Sequence, residues 1–458
     1  MHTAKEPTKP DTGLAANSVS SGEVNPITEV SQPGSGESSI TEVAFNLLNT
    51  IIGSGILGLP FALKDAGFFA GILVLIFVAV INDFALRILV QAGRRTGIYQ
   101  FHLLAKKTLG NVGFYFLNLV IWTQSVGSTI SYVIIIGDTV PLLASIYLPS
   151  LTFLHSRAGA ILVTNFLFIL PLLFWRSMAP LAKFSIISIL CLPIISLTVA
   201  VRAPYYAGKH TVEYNFVGDN LFPAIGVISF AFVCTQTCFM NFMDLRNPTD
   251  KRWSKTTKSA IAGAFLIYTA FALIGYLSFG SDVKDNIFKN FPSTDPYINF
   301  ARLCLVITMF LTYPMLFYPA RSTLNVLLGF EDLDMQPTST QHLSVTMGLY
   351  TFVLFVGLSI TNLGKVYQLI GAFSATGLAY LVPAGIYLAT FRRKQFDFLR
   401  LRVAPDASTT EPLVAPTTAK QVTGKLSFDV AAIVLVCFGL VALVTGTGKT
   451  LLDIIQGQ

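Results

Sequence analysis

The sequence predicts an all-α membrane protein of about eleven transmembrane helices. Three observations lead there. Only 12% of the 458 residues are charged and 53% are hydrophobic, with a mean hydropathy of +0.64, whereas a soluble domain carries about a quarter charged residues. Apolar runs of about 20 residues, enough to cross the hydrocarbon core, succeed one another along the chain. The first run also breaks itself, at Gly53-Ser54-Gly55-Ile56-Leu57-Gly58-Leu59-Pro60. Irregular backbone is tolerated at bilayer depth only where it is buried in protein or lines a watery cavity, and transporters use such discontinuous helices to hold substrate and ions near the midplane.

The spans read as 42–64, 68–91, 112–137, 158–175, 180–202, 220–242, 259–280, 299–323, 343–362, 366–391 and 427–446. Residues 1–39 are rich in Ser, Thr, Pro, Gly and Glu and read as a disordered cytosolic tail, with no apolar signal-peptide core. The transmembrane domain then fills 40–446, and 447–458 is a short C-terminal tail. Lys and Arg concentrate in alternate loops, around Arg94, Arg95, Lys106 and Lys107, around Arg246 to Lys258, and from Arg392 to Lys425. That excess places the N-terminus in the cytosol. It also accounts for the net charge of +7 without a nucleic-acid partner. An odd count of spans with a broken first one suggests a five-plus-five inverted repeat with one span added, so span six is the expected partner of span one. Its polar Ser229, Thr235, Gln236 and Thr237 interrupt it, but no glycine pair does. The five cysteines all lie in apolar segments and read as packing residues.

Span one carries the densest candidate chemistry. Asn46, Asn49 and Thr50 precede the break at Gly53, Ser54 and Gly55. Unwound amides there suit a substrate carboxylate, helped by the positive end of the following half-helix, and freed carbonyls suit a small cation. Small residues that let helices pack closely would give the same glycines, but not the amides and hydroxyls ahead of them. In span three, Gln124, Ser128 and Ser131 share one face, a stripe that fits a solute path and small-residue packing equally. In span eight, Thr308 and Thr312 lie four residues apart; their hydroxyls suit sodium, but threonines also bond back onto their own helix. Asp83 and Arg87 read as a neutralising pair within span two. Asp138 is read as capping a turn or facing a vestibule, and the loop from Asp244 to Lys255 as a solvated turn. There is no metal-ligand spacing, nucleophile–base set or carbonyl filter repeat, so an enzyme and a channel are both disfavoured.

These residues resemble the amino acid/auxin permease family, closest to its sodium-coupled neutral amino acid transporter and fungal vacuolar amino acid transporter branches. The resemblance rests on Phe45 to Pro60, Ile136-Gly-Asp138-Thr139, Ser229 to Phe232, Asn247-Pro248 with Trp253, and Leu311 to Pro314, and covers nearly all of 40–391. It implies a leucine-transporter-like fold and alternating access for neutral amino acids, coupled to Na+ or H+, with no other cofactor. It implies a multi-pass protein of the vacuolar/endolysosomal or plasma membrane, expected to act as a monomer. In the sodium-coupled branch a span-one asparagine and a span-eight threonine belong to the sodium site; these match Asn49 and Thr312, with Thr308 beside them. Substrate contacts are expected from Asn46, Thr50, Gly53, Ser54, Gly55, Gln124, Ser128, Ser229, Thr235 and Gln236. Thr235-Gln236-Thr237 departs from relatives that carry histidine or asparagine there. The alternative reading is an amino-acid-sensing transceptor or scaffold without appreciable flux.

Overall fold

The computed structural model describes residues 33, 34, 36–176, 185–331, 335–392 and 426–456; all of them lie in the unit that begins at Gln32. The first span is two half-helices. α1 (Ile40–Ile51) starts at a capping box in which the Ser39 hydroxyl accepts from the Glu42 amide and the Glu42 carboxylate accepts from the Ser39 amide. Ile52 and Gly53 are extended, a 3-10 turn covers Ser54–Gly58, and α2 (Leu59–Ala66) carries Pro60 in its first turn, where a missing N–H costs no helical hydrogen bond. The two halves are bent by 53°.

α3 (Phe68–Thr96) ends at left-handed Gly97. α4 (Phe101–Tyr147) is interrupted by Gly110, whose φ of 73° no ordinary side chain favours, so its membrane-spanning part begins beyond that glycine. α5 (Arg157–Leu173) and α6 (Ser185–Arg202) are shorter. The sixth span is again two pieces, α7 (Leu221–Phe232) and α8 (Cys238–Asp244), separated by extended Val233 and a short 3-10 turn, Thr235–Thr237. α9 (Asp250–Phe279), α10 (Pro296–Leu327), α11 (Ser339–Ser359), α12 (Leu363–Phe391) and α13 (Leu426–Ile455) complete the chain.

Among the described residues eight helices are long and apolar enough to cross a membrane, nine if the bent first pair is one span. α5 and the apolar stretch Leu190–Tyr206 fall on the fourth and fifth predicted spans but are shorter than that test requires. Among the described residues the named elements are all helical, and an isolated bridge joins Ser38 to Leu245. In the bundle α7 packs on α2 and α12, α1 on α9, and α10 on α4 and α6. α13 lies outermost, leaving Leu426, Val430 and Ile433 exposed.

Three boundaries differ from the sequence reading. The final helix runs on to Ile455 through a π turn at Ala442–Gly446, because Thr450 and Gly446 are buried against the bundle; 447–455 is therefore not a tail. The end of the N-terminal tail is fixed: the Ser38 amide donates to the Asp244 carbonyl at 3.0 Å and its carbonyl accepts from Arg246 at 2.9 Å. The loop from Asp244 is not a solvated turn throughout, since α9 begins at Asp250 and Trp253 is 2% exposed, its indole donating to the Leu86 carbonyl.

The tightest crossing joins α7 to α12. A Cβ added at Gly371 would sit 1.8 Å from the Gly226 carbonyl oxygen, and one at Gly226 would sit 2.6 Å from the Gln368 carbonyl oxygen. Gly371→Val is therefore expected to destabilise the protein by about 1–3 kcal/mol or more by overpacking. Gly348→Ala, at a helical glycine with nothing within 4 Å, should leave thermal stability unchanged or slightly raised. Melting temperatures of the two purified variants check this, and equal melting would contradict the close crossing.

Candidate substrate site at the paired helix breaks

A helix that stops inside the bilayer leaves carbonyls without amide partners. α1 and α7 both stop there, and a single side chain serves both ends. The Tyr268 hydroxyl, on α9 and fully buried, lies 2.6 Å from the Ile51 carbonyl oxygen and 2.9 Å from that of Ala231. Beside this point Gly55 presses on the second half-break: a Cβ there would meet Ala231 Cα at 2.9 Å. Gly53, in contrast, has nothing within 4 Å of where a Cβ would be, so open space lies at the break itself.

α12 is the second organiser. The Tyr367 hydroxyl donates to the Ser54 carbonyl at 3.0 Å, and the Tyr380 hydroxyl donates to Ser229 Oγ at 3.2 Å. The Ser374 hydroxyl is 2.8 Å from Gln124 Oε1, and Gln368 donates to the Asp65 carboxylate at 3.0 Å. Two π turns, Gly371–Ala375 and Gly377–Leu381, lie within this stretch; such turns shift the helical register and are frequent at functional sites.

The predicted site residues thus fall into groups. Ser54, Gly55, Ser229 and Gln124 are buried and joined to one another through α12 or by direct packing. Ser128 is buried on the same face of α4, its hydroxyl bonded to the Gln124 carbonyl at 2.8 Å. Thr235 is buried in the second break with no hydrogen-bond partner for its hydroxyl among the described residues. Asn46, Thr50 and Gln236 are exposed, and the Thr50 hydroxyl donates to the Asn46 carbonyl at 2.9 Å. Asn49 is half-buried. Thr308 and Thr312 donate to the carbonyls of Cys304 and Thr308 on their own helix, and the Thr312 hydroxyl is 3.3 Å from that of Tyr132 on α4. Their free lone pairs and the Asn49 amide oxygen are the neutral oxygen donors a hard monovalent cation takes. α10, however, packs mainly against α4 and α6, and hydrogen bonding joins Thr312 to α4 and not to the first span.

Within α4, toward its C-terminal end, Asp138 does not cap a turn but forms an ion pair. Lys289, in the 3-10 turn Ile287–Asn290, lies 3.0 Å from its carboxylate and 3.2 Å from that of Asp285. Asp285 in turn accepts from the Leu363 and Gly364 amides at the start of α12, at 2.6 and 3.3 Å. Burial alone would lower the Lys289 pKa; the charges of Asp285 and Asp138 outweigh it and hold the ammonium above its ordinary value. This cluster ties the 283–291 loop to α4 and α12. Asp83 and Arg87 pair at 3.1 Å as expected, with the Thr257 hydroxyl donating to Asp83.

Residues 36–407 match the profile of a family described as transmembrane amino acid transporter protein. The chain belongs to that family. A putative sodium-coupled neutral amino acid transporter 11 of Rattus norvegicus is 34% identical to it over 363 residues, covering 77% of this chain and 78% of the relative. Vacuolar amino acid transporter 2 of Saccharomyces cerevisiae is 29% identical over 457 residues, covering 94% and 87%. A sodium-coupled neutral amino acid symporter 2 of Danio rerio is 24% identical over 390 residues, covering 78% and 77%.

For this amino acid transporter family member, the sequence reading missed the tyrosines. Tyr268, Tyr367 and Tyr380 sit in apolar runs where an aromatic reads as core, and nothing in their spacing marks the hydroxyl as the reason for their presence. Gly371, Ser374, Thr376 and Gly377 do form a small, polar run in span ten that could have drawn attention to α12. Tyr268→Phe keeps the ring packing and removes the donor, leaving two buried carbonyls short of one hydrogen bond, a cost of about 1–3 kcal/mol. The expected outcome is a protein that still purifies as a folded species but transports at least about tenfold more slowly. Gly53→Ala, which meets open space, should retain folding. Wild-type flux in Tyr268→Phe would remove that hydroxyl from the account.

Proposed function

We propose that this protein is a secondary active transporter of neutral amino acids that works by alternating access and is coupled to Na+ or H+. The observation that carries the proposal is the pair of helix breaks, in the first and sixth spans, held at one point by the Tyr268 hydroxyl. A zwitterionic substrate needs acceptors for its ammonium and donors for its carboxylate. The first are the carbonyls at the ends of α1 and α7; the second are the amides of Ser54 and Gly55, which lead the second half of span one. Among the described residues no cluster of three or more acidic, His or Cys side chains capable of holding a metal ion occurs. The apolar walls of Phe230 and Tyr367, stacked with centroids 4.9 Å apart, favour substrates without a side-chain charge.

Asn46 and Thr50 lie on an exposed face of α1 toward its N-terminal side, while the Lys289 cluster ties down the opposite end. With the N-terminus cytosolic, that side is the cytosol. Residues in this reading are assigned as Asn46, Thr50, Gly53, Ser54, Gly55, Gln124, Ser128, Ser229, Thr235 and Gln236 for substrate, and Asn49, Thr308 and Thr312 for sodium where sodium is the coupling ion. For sodium the first span and α10 have to approach one another in the loaded state. The yeast relative's name supports a vacuolar membrane.

Purified protein in liposomes should show counterflow of labelled neutral amino acids, accelerated by either an inward sodium or a proton gradient. No counterflow with any amino acid, alongside retained binding, would favour a sensor. If sodium is the driver, Asn49→Ala and Thr312→Ala should each raise the sodium concentration for half-maximal flux about tenfold or more. An unchanged sodium response in both would reject that ion site.

A further inference from the structure

A second site lies away from the helix breaks. A cavity of about 290 Å3 opens between α3, the first turns of α9 and the start of α13, a volume that roughly ten waters occupy in the liquid. Arg87, Gln91, Lys251, Ser254, Lys255 and Phe428 line it. Gln91 is 8% exposed and its amide has no hydrogen-bond partner among the described residues. Lys251 and Lys255 are exposed and have no ion-pair partner among them either. The acidic residue at the rim, Asp250, is taken by Arg94. Arg87 is held in place by Asp83 and by the rings of Phe84 and Phe428, 5.3 and 5.2 Å from its guanidinium carbon. The walls therefore offer amide, hydroxyl and ammonium donors with a surplus of positive charge.

The depth of the cavity says what supplies the acceptors. Arg87 lies roughly 13 Å along the helix axis from the end of α3 at Thr96, so the cavity reaches from the cation-rich loops toward the apolar slab. Beside it α13 exposes Leu426, Val430 and Ile433, a surface for acyl chains. Cation-rich pockets between spans at this level suit anionic headgroups. We propose that the cavity binds the phosphate of an anionic lipid headgroup, with Lys251 and Lys255 pairing its charge and Gln91 and Ser254 donating hydrogen bonds. The bound lipid would join α3, α9 and α13, and so couple the outermost helix to the helix that carries Tyr268.

Trp253 also lines the cavity and is one of three tryptophans, which makes it the reporter. The full chain, with Trp122→Phe and Trp175→Phe, is placed in phosphatidylcholine nanodiscs and titrated with phosphatidic acid. The expected result is a saturable change in Trp253 emission. Lys251→Gln with Lys255→Gln should weaken it about thirtyfold, from two contacts of about 1 kcal/mol each. Gln91→Leu should weaken it with no change of charge, and Lys258→Gln, outside the lining, should leave it within about twofold. No saturable change, or an equal loss in Lys258→Gln, would overturn the site. Saturation by inorganic phosphate at the same concentration would overturn the lipid as its source. Should the double Phe variant fail to fold, native mass spectrometry of the unmodified chain from a mixed-lipid bilayer gives the same decision: phosphatidic acid is retained selectively, and the Lys251/Lys255 variant loses it.

Discussion

The structure depends on what becomes of backbone carbonyls when a helix ends inside a bilayer. Nothing in the hydrocarbon can pair them, and each one left alone costs several kcal/mol. Here two helices end at nearly the same place, and the Tyr268 hydroxyl stands between them, in reach of Ile51 on one side and Ala231 on the other. A hydroxyl has one proton, so it satisfies one of these acceptors fully or both in part. A Cβ at nearby Gly53 would meet nothing within 4 Å, and in the proposed reading the ammonium of an amino acid supplies the donors that complete the remaining acceptor capacity.

Around that point α12 does the holding. Its tyrosine hydroxyls reach the first and sixth spans, and its Ser374 reaches the third. The contact of Gly226 with Gly371 lets the two backbones approach far closer than any side chain would allow. At its start, the Leu363 and Gly364 amides are fixed by Asp285, which shares Lys289 with Asp138. The loop around Lys289 and both breaks are therefore tied to one helix. In the proposed alternating-access reading such a connection lets one end of the site open as the other closes.

How much of this could be read from the sequence follows from the physics of each feature. The long apolar runs announced the helical membrane bundle, because hydropathy reports the solvent directly. The first break announced itself through Gly53, Gly55, Gly58 and Pro60, residues with a strong local preference. The sixth-span break carries no such residues: Val233 is extended just past Ala231, which Tyr268 and Gly55 contact, and tertiary contacts leave no local mark. The fourth and fifth helices fell where expected, because their apolar runs carry the same hydropathy signal. The last helix continues past its apolar run, with Gly446 and Thr450 buried against the bundle, a tertiary contact that hydropathy does not report. Among site residues, those with distinctive backbone chemistry were legible and the tyrosines were not, because a buried hydroxyl inside an aromatic side chain looks like core.

The central claim is that the two breaks form one substrate site. Hydrogen–deuterium exchange of the full chain in nanodiscs, with and without a transported neutral amino acid, tests it most directly. The account predicts that substrate slows exchange together in the segments around Gly53 to Gly58 and around Phe232 to Cys238. Protection of one segment without the other, or of neither while flux persists, would contradict it.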